Sequence, residues 1–274
     1  METTALPATP PRSPQGAPFL IGITGKRDLR GQEALVRAAL DAAFDAIDAR
    51  LPNTPKIVLS ALAAGADSVA AEAALARDGW RVVAPLPFRR EIYEGDFTDP
   101  DELARLRRLM ADPRVSVIEL SPLRRLDGAA PHSDEDLRRA GPSSPDRALH
   151  YEQVGLYIVE RSALMVGVVA ASEPPALIGG SGRVLKARLE HLDRIALGAR
   201  DRSSELLQGG DAADPRVGPV WRILLNGADD ATGAPLRMMI QRPGEHRVEE
   251  LDGPAAMQKS LELGHRIDEI NRHA

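Results

Sequence analysis

Short, almost wholly apolar runs alternate along this chain with stretches in which apolar residues return every three or four positions. The first pattern reads as strands buried on both faces and the second as helices with one apolar stripe. Phe19-Leu20-Ile21-Gly22-Ile23-Thr24 is the first predicted strand, broken by Gly25-Lys26-Arg27-Asp28-Leu29. Residues 32–50 follow, with Leu35, Ala39, Ala43 and Ile47 at helical spacing. Residues 56–62 are a second strand, running through Ala63-Ala64-Gly65-Ala66-Asp67 into an Ala-rich helix. Asp78-Gly79 closes that helix, glycine suiting the left-handed position after a helix end. Residues 80–86 are a third strand, 115–120 a fourth, 164–170 a fifth and 220–225 a sixth, with 236–240 a candidate seventh. Asp99-Pro100-Asp101-Glu102 reads as a helix start, since Asp can cap, Pro fits the first turn and Glu lies three residues after the cap. Tyr151, Val154 and Ile158 mark a helix before the fifth strand, and Leu185, Leu189, Leu192 and Ile195 one after it.

Strand–helix alternation repeated this often predicts an α/β fold. Right-handed crossovers then give a doubly wound, mainly parallel sheet in a three-layer sandwich. Ligands bind such sheets beyond the carboxyl ends of the strands, near the point where the strand order reverses. Residues 1–18, with Pro7, Pro10, Pro11, Pro14 and Pro18, are expected to form a disordered leader. The main domain is expected over 19–245. Residues 246–274 are expected to form a helical extension whose apolar positions include Met257, Leu261, Ile267 and Ile270. The polar stretches 122–149 and 198–216 are read as loops.

Composition narrows the chemistry. The 274 residues are 43% hydrophobic and 27% charged, which excludes wholesale disorder. A net charge of −5 speaks against a strongly basic nucleic-acid binder, so no nucleic acid is expected among the partners. The absence of cysteine excludes disulfides, thiol catalysis and Cys-ligated metals. The six histidines, at 132, 150, 191, 246, 265 and 273, show no metal-ligand spacing, and there is no G-x-S-x-G elbow. Neither a metal nor a cofactor is expected. The longest apolar run, 164–171, is far shorter than the ~20 residues of a spanning helix, and the N-terminus lacks a signal pattern. No membrane span and a cytoplasmic location are therefore expected.

Three glycine-containing segments follow predicted strand ends and could converge on one edge of the sheet. In the first, Gly22, Thr24 and Gly25 lead to Lys26 and Arg27, two cations where a phosphate would sit. A plain turn with solvated charges is the other reading. In the second, Ser60 precedes Ala64, Gly65, Ala66 and Asp67, whose small side chains expose backbone N–H groups at a helix start. Asp67 itself reads as the helix N-cap. In the third, Gly179, Gly180, Ser181, Gly182 and Arg183 make a loop able to cradle a phosphate, or simply a flexible one. Glu91, Tyr93 and Asp96 follow the third strand and could contact a sugar or base. Equally, Phe88, Tyr93 and Phe97 could be apolar pins of a loop. Tyr151 and Tyr157 could stack on a base or pack in the core.

Taken in order, these segments resemble the SLOG superfamily of Rossmann-like domains over about residues 19–240. The matching pieces are Gly22 to Leu29, Leu59 to Asp67, Leu86 to Phe97, Tyr151 to Val159, and Gly179-Gly180-Ser181. The family includes the Smf/DprA and LOG proteins, N-terminal regions of TRPM channels and sensor domains of bacterial anti-phage effectors. Within the family the chain resembles the branch whose sensor precedes a membrane-associated SLATT effector. The resemblance implies a cytoplasmic sensor that binds an ADP-ribose-like or cyclic nucleotide at the glycine loops. It also implies self-association and a downstream effector domain or protein. Two alternatives accompany it: LOG-like hydrolysis of a nucleotide N-glycosidic bond, and DprA-like binding of single-stranded DNA. The chain departs from the family at Lys26, where His is expected, and at Gly182-Arg183, where a small-then-acidic pair is expected. Against the LOG segment PGGxGTxxE, Ile178 replaces Pro and Lys186 stands at the catalytic Glu. That missing acid argues against hydrolysis, unless Glu91 or Glu152 supplies it.

Overall fold

The computed structural model describes residues 16–123, 131–142, 144–170, 178–190, 218–227 and 235–273. In chain order the elements begin β1 (Phe19–Gly25), α1 (Glu33–Arg50), β2 (Lys56–Leu59), α2 (Ala66–Leu75), β3 (Arg81–Leu86), α3 (Arg90–Glu94), α4 (Pro100–Ala111) and β4 (Val115–Glu119). They continue with α5 (Asp134–Arg139), α6 (Pro145–Arg161), β5 (Leu164–Ala170), α7 (Ser181–Glu190), β6 (Val220–Leu225), β7 (Arg237–Gln241), β8 (Val248–Glu250), α8 (Gly253–Lys259) and α9 (Glu262–Asn271).

The strands form one eight-stranded sheet in the order β4-β3-β2-β1-β5-β6-β7-β8. Pairing is parallel from β4 across to β6, and β7 and β8 join antiparallel. The expected α/β class, mainly parallel and covered on both faces, is the one observed. Strand β5 is buried along its whole length because both sides carry helices. Leu164, Val166 and Val168 face the core shared with α1, α2 and α8, while Met165 and Val169 face α6 and α7. Strand β4 is the sheet edge and is mostly exposed, Val117 and Ile118 included.

Local chemistry sets the helix starts. The Asp99 carboxylate accepts from the Asp101 N–H at 2.8 Å and Pro100 opens α4, as its sequence implies. Replacing Asp99 with alanine should cost about 1 kcal/mol in urea unfolding, the usual value of a lost cap. An unchanged midpoint would show that the cap contributes nothing.

The stretch 122–149 is not one loop. Among its described residues, Ser133 and Asp136 build a reciprocal capping box for α5, and Ser144 caps α6 one residue before Pro145. Such polar, Pro-containing sequences look like loop by composition while encoding helix starts. Residues 88–97 likewise contain α3, with Tyr93 and Phe97 packed edge to face at 5.3 Å. At the other end, the Asn271 side chain exchanges hydrogen bonds with the backbone of Ala17 at 2.9 Å. Residues 1–15 of the expected leader, Leu192, Ile195 and the expected loop 198–216 lie outside the described residues.

Candidate functional site

The winding reverses between β1 and β5: β2, β3 and β4 extend to one side, and β6 onward to the other. A cleft opens there, of about 550 Å³ counting the open space at its mouth. Thr24 and Gly25 at the end of β1 and Arg27 beyond it line the cleft, with Ala61, Ala63 and Asp67 after β2, and Gly179 and Ser181 at the start of α7. Tyr93 from α3, with Tyr151, Val154, Gly155 and Ile158 from α6, completes most of the wall.

The loops meet because glycine leaves no side chain between them. Gly65 turns the chain at φ +81, and a Cβ there would lie 2.2 Å from the Arg27 carbonyl oxygen and 2.5 Å from that of Lys26. The Ala66 N–H donates to the Lys26 carbonyl at 3.0 Å, so the loop after β1 rests on the first turn of α2. A Cβ on Gly25 would approach the Ala66 methyl to 2.4 Å. Leu62 is buried at φ 57, a left-handed conformation that costs an L-residue about 1–2 kcal/mol. Its N–H is held by the Ser60 hydroxyl at 3.1 Å. In this turn the backbone N–H groups of both Ala61 and Ala63 donate to the Asp67 carboxylate.

That arrangement corrects one expectation. Asp67 is not the cap of α2: Gly65 occupies that position, no side chain caps the helix, and Asp67 reaches back from its first turn. Of the Ala64–Ala66 backbone donors, that of Ala66 is already engaged. The N–H groups of Ala66, Ser68 and Val69 donate to the carbonyls of Lys26, Ala63 and Gly65. Asp67 is 7% exposed. Burial pushes its carboxyl up to about 7, against the opposing pull of the Arg27 charge and its two backbone donors.

The opposite wall is a hydrogen-bonded network. The Tyr93 hydroxyl donates to the Ala61 carbonyl at 3.1 Å, and burial raises its pKa. The Tyr151 hydroxyl and the Arg147 guanidinium both donate to the Asp96 carboxylate. Burial raises the Asp96 pKa, and the charges of Arg147 and Arg27 oppose it. The Arg27 guanidinium lies 5.3 Å from the centre of the Tyr151 ring, within cation–π range.

Of the residues singled out in the sequence, Thr24, Gly25, Arg27, Asp67, Tyr93, Tyr151, Gly179 and Ser181 come together in the cleft. The others stand behind or away from it. Gly22 is a packing position, where a Cβ would meet Ser162, Met165 and Ile158 at 2.3–2.7 Å. Ser60 is fully buried and braces the loop through the Asp67 carbonyl at 3.2 Å. The Lys26 backbone donates to the Val168 carbonyl of β5 and accepts from the Ala66 N–H of α2, but its side chain does not line the cleft. Ala64, Gly65 and Ala66 shape the loop without lining it. Glu91 is exposed, because helix α3 sends it to solvent while Tyr93 turns inward. The Gly180 carbonyl accepts from Arg183 and Val184 and so closes the first turn of α7, with Gly182 inside that turn. Arg183 is spent on an ion pair with buried Glu152. Asp96 serves Tyr151 and Arg147, not the cleft surface. Tyr157 lies outside the lining and stacks under Arg161 at 3.8 Å.

Apart from Tyr151, read as able to stack on a base, the apolar wall of α6 had no place among the predicted site residues. Its signal was the spacing of Tyr151, Val154, Gly155 and Ile158, which puts all of them on one helix face. Among the described residues, no group of three or more His, Asp or Glu is placed to hold a metal ion. None of the described helices is long and apolar enough to cross a membrane.

Fold and cleft together define a doubly wound α/β protein with a crevice at its switch point. No protein-family model matches the chain, and no curated protein matches it. Among solved structures it is similar to the X-ray structure of DNA processing protein A (DprA) from Streptococcus pneumoniae. Identity is 17% and the TM-score 0.36, over 62% of this chain and 47% of that one. The likeness is a distant one of fold, and this chain spans about half the length of that protein. The expectation that nucleic acid is no partner is corrected by this finding, because the similar structure is that of a DNA processing protein.

Proposed function

We propose that this protein binds a nucleotide-derived ligand of the ADP-ribose-like or cyclic kind in the switch-point cleft, as a sensor in a bacterial defence or stress-signalling system. One observation carries the reading: loops from β1, from β2 and before α7 meet at the sheet's reversal point, with Arg27 held over Tyr151. That crevice is where sheets of this winding take ligands, and a guanidinium suits a phosphate. The motif resemblance to SLOG domains supports the same choice. Because Lys26 does not line the cleft, the phosphate assignment rests on Arg27. A ligand acts as a signal only through its different affinity for two states of the protein.

The test is calorimetry with ADP-ribose, NAD, cyclic ADP-ribose and cyclic di- and trinucleotides. Arg27→Ala should weaken binding at least about tenfold, the loss of one charge-assisted contact, while Glu91→Ala should leave affinity unchanged. A wild-type protein that binds none of the panel refutes the reading. Hydrolysis of an N-glycosidic bond finds less support. Glu91 is exposed, Glu152 is paired with Arg183, and Lys186 pairs with Glu190 on the surface of α7. Chromatography after incubation with the same panel should therefore show no released base.

A further inference from the structure

We infer that Asp67 sets the specificity of the cleft. Its carboxylate selects ligands that present hydrogen-bond donors at that point, the hydroxyls of an unmodified ribose or the amino edge of a base, and rejects ligands that place a phosphate there. The inference rests on the nucleotide-binding reading above.

An ionised carboxylate only accepts hydrogen bonds, and its two oxygens offer about four acceptor sites. Two donors, the N–H groups of Ala61 and Ala63, come from the loop behind Asp67. The residue is 7% exposed and is part of the cleft lining. The neighbouring hydroxyls do not compete for it: Tyr93 donates to the Ala61 carbonyl and Tyr151 to Asp96. A ligand without donors would bury this carboxylate without replacing its water, which costs binding energy. A phosphate in the same place would set like charges together. The cleft therefore has two poles, with Arg27 for an anionic group and Asp67 for neutral donors.

The charged and titratable groups around Asp67 are the Arg27 guanidinium, from the loop after β1, and the Tyr93 phenol, from α3. Burial keeps Tyr93 neutral across the range of interest, and a 2′-phosphate takes up its second proton at about pH 6, so the part of a selectivity change between pH 6 and 8 that Asp67→Asn removes reports Asp67. Its carboxyl titrates near 7 and is mostly ionised at pH 8.

The experiment measures the affinities of ADP-ribose, its 2′-phosphorylated form and its hypoxanthine counterpart IDP-ribose, for the wild type and Asp67→Asn. Asparagine keeps the shape and an acceptor for the loop, but adds an N–H donor and removes the charge. At pH 8 the wild type should prefer ADP-ribose at least about tenfold over one of the two analogues, the scale of a donor or charge mismatch at a buried group. In Asp67→Asn that gap should fall to within about threefold. Collapse of the 2′-phosphate gap identifies ribose as the group read; collapse of the IDP-ribose gap identifies the base. The wild-type preference should also shrink at pH 6, and by more than the variant's, whose change comes only from the ligand's own phosphate. If ADP-ribose binds and Asp67→Asn changes neither gap, the inference is overturned while the nucleotide-binding reading stands. If ADP-ribose does not bind at all, both fall.

Discussion

Replacing Gly65 with alanine is expected to cost about 4 kcal/mol of folding stability. It should also dismantle the junction on which the cleft is built. Two terms add. The residue sits at φ +81 and ψ −124, a region open almost solely to glycine, and forcing an L side chain into it costs about 1–3 kcal/mol. The new methyl would also lie 2.2 Å from the Arg27 carbonyl oxygen, and backbone cannot swing aside as a flexible side chain can. Overpacking of that kind typically costs a further 1–3 kcal/mol. Gly79→Ala is the matched control. It too has a positive φ, +77, but a Cβ there meets nothing within 4 Å, so only the conformational cost of about 1 kcal/mol applies. Urea unfolding of both variants separates the terms. Equal losses would mean that the two loops are not pressed together at Gly65.

Asp67→Asn is expected to stabilise the protein, increasingly so as pH rises. The Asp67 carboxyl has a folded pKa of about 7 against an ordinary 3.8. Below pH 4 the group is protonated in both folded and unfolded chains and is neutral toward stability. Between pH 4 and 7 the folded chain holds a proton that the unfolded chain has released. Wild-type stability from this group therefore falls as pH rises, and the loss is complete above 7. The shift corresponds to roughly 4 kcal/mol at most. Asparagine does not titrate, so the variant's advantage should grow by a few kcal/mol from pH 4.5 to pH 8 and then level off. Parallel denaturation curves at the two pH values measure it. A constant difference would show that the carboxylate is not desolvated. The same variant is the one used to test specificity, and a stable variant removes misfolding as the cause of any lost selectivity.

The candidate site was legible as three loops but not as a set of side chains. Glycines at 25 and 65 next to strand ends mark close approach, and that approach is observed. Glu91 and Tyr93 looked equivalent in the sequence, yet one faces solvent and the other is 1% exposed. Loop residues carry no period, so nothing local tells which side faces inward until α3 packs. Arg183 looked like a ligand cation and is paired with Glu152 of another helix. Asp67 looked like a helix cap, because Asp before an Ala-rich helix usually is one.

By itself the sequence determined the layered α/β architecture, since alternating buried runs and amphipathic stretches can bury their apolar surface in few other ways. It also determined where glycine would let two loops touch. The tertiary structure alone decided which charges are free, which are spent and which are unusual. Arg147 meets Asp96 across 51 residues, Arg183 meets Glu152 across 31, and Asp67 gains its near-neutral pKa from burial under the loops around it. Ionisation depends on the water and the charges around a group in space, and chain order does not record these.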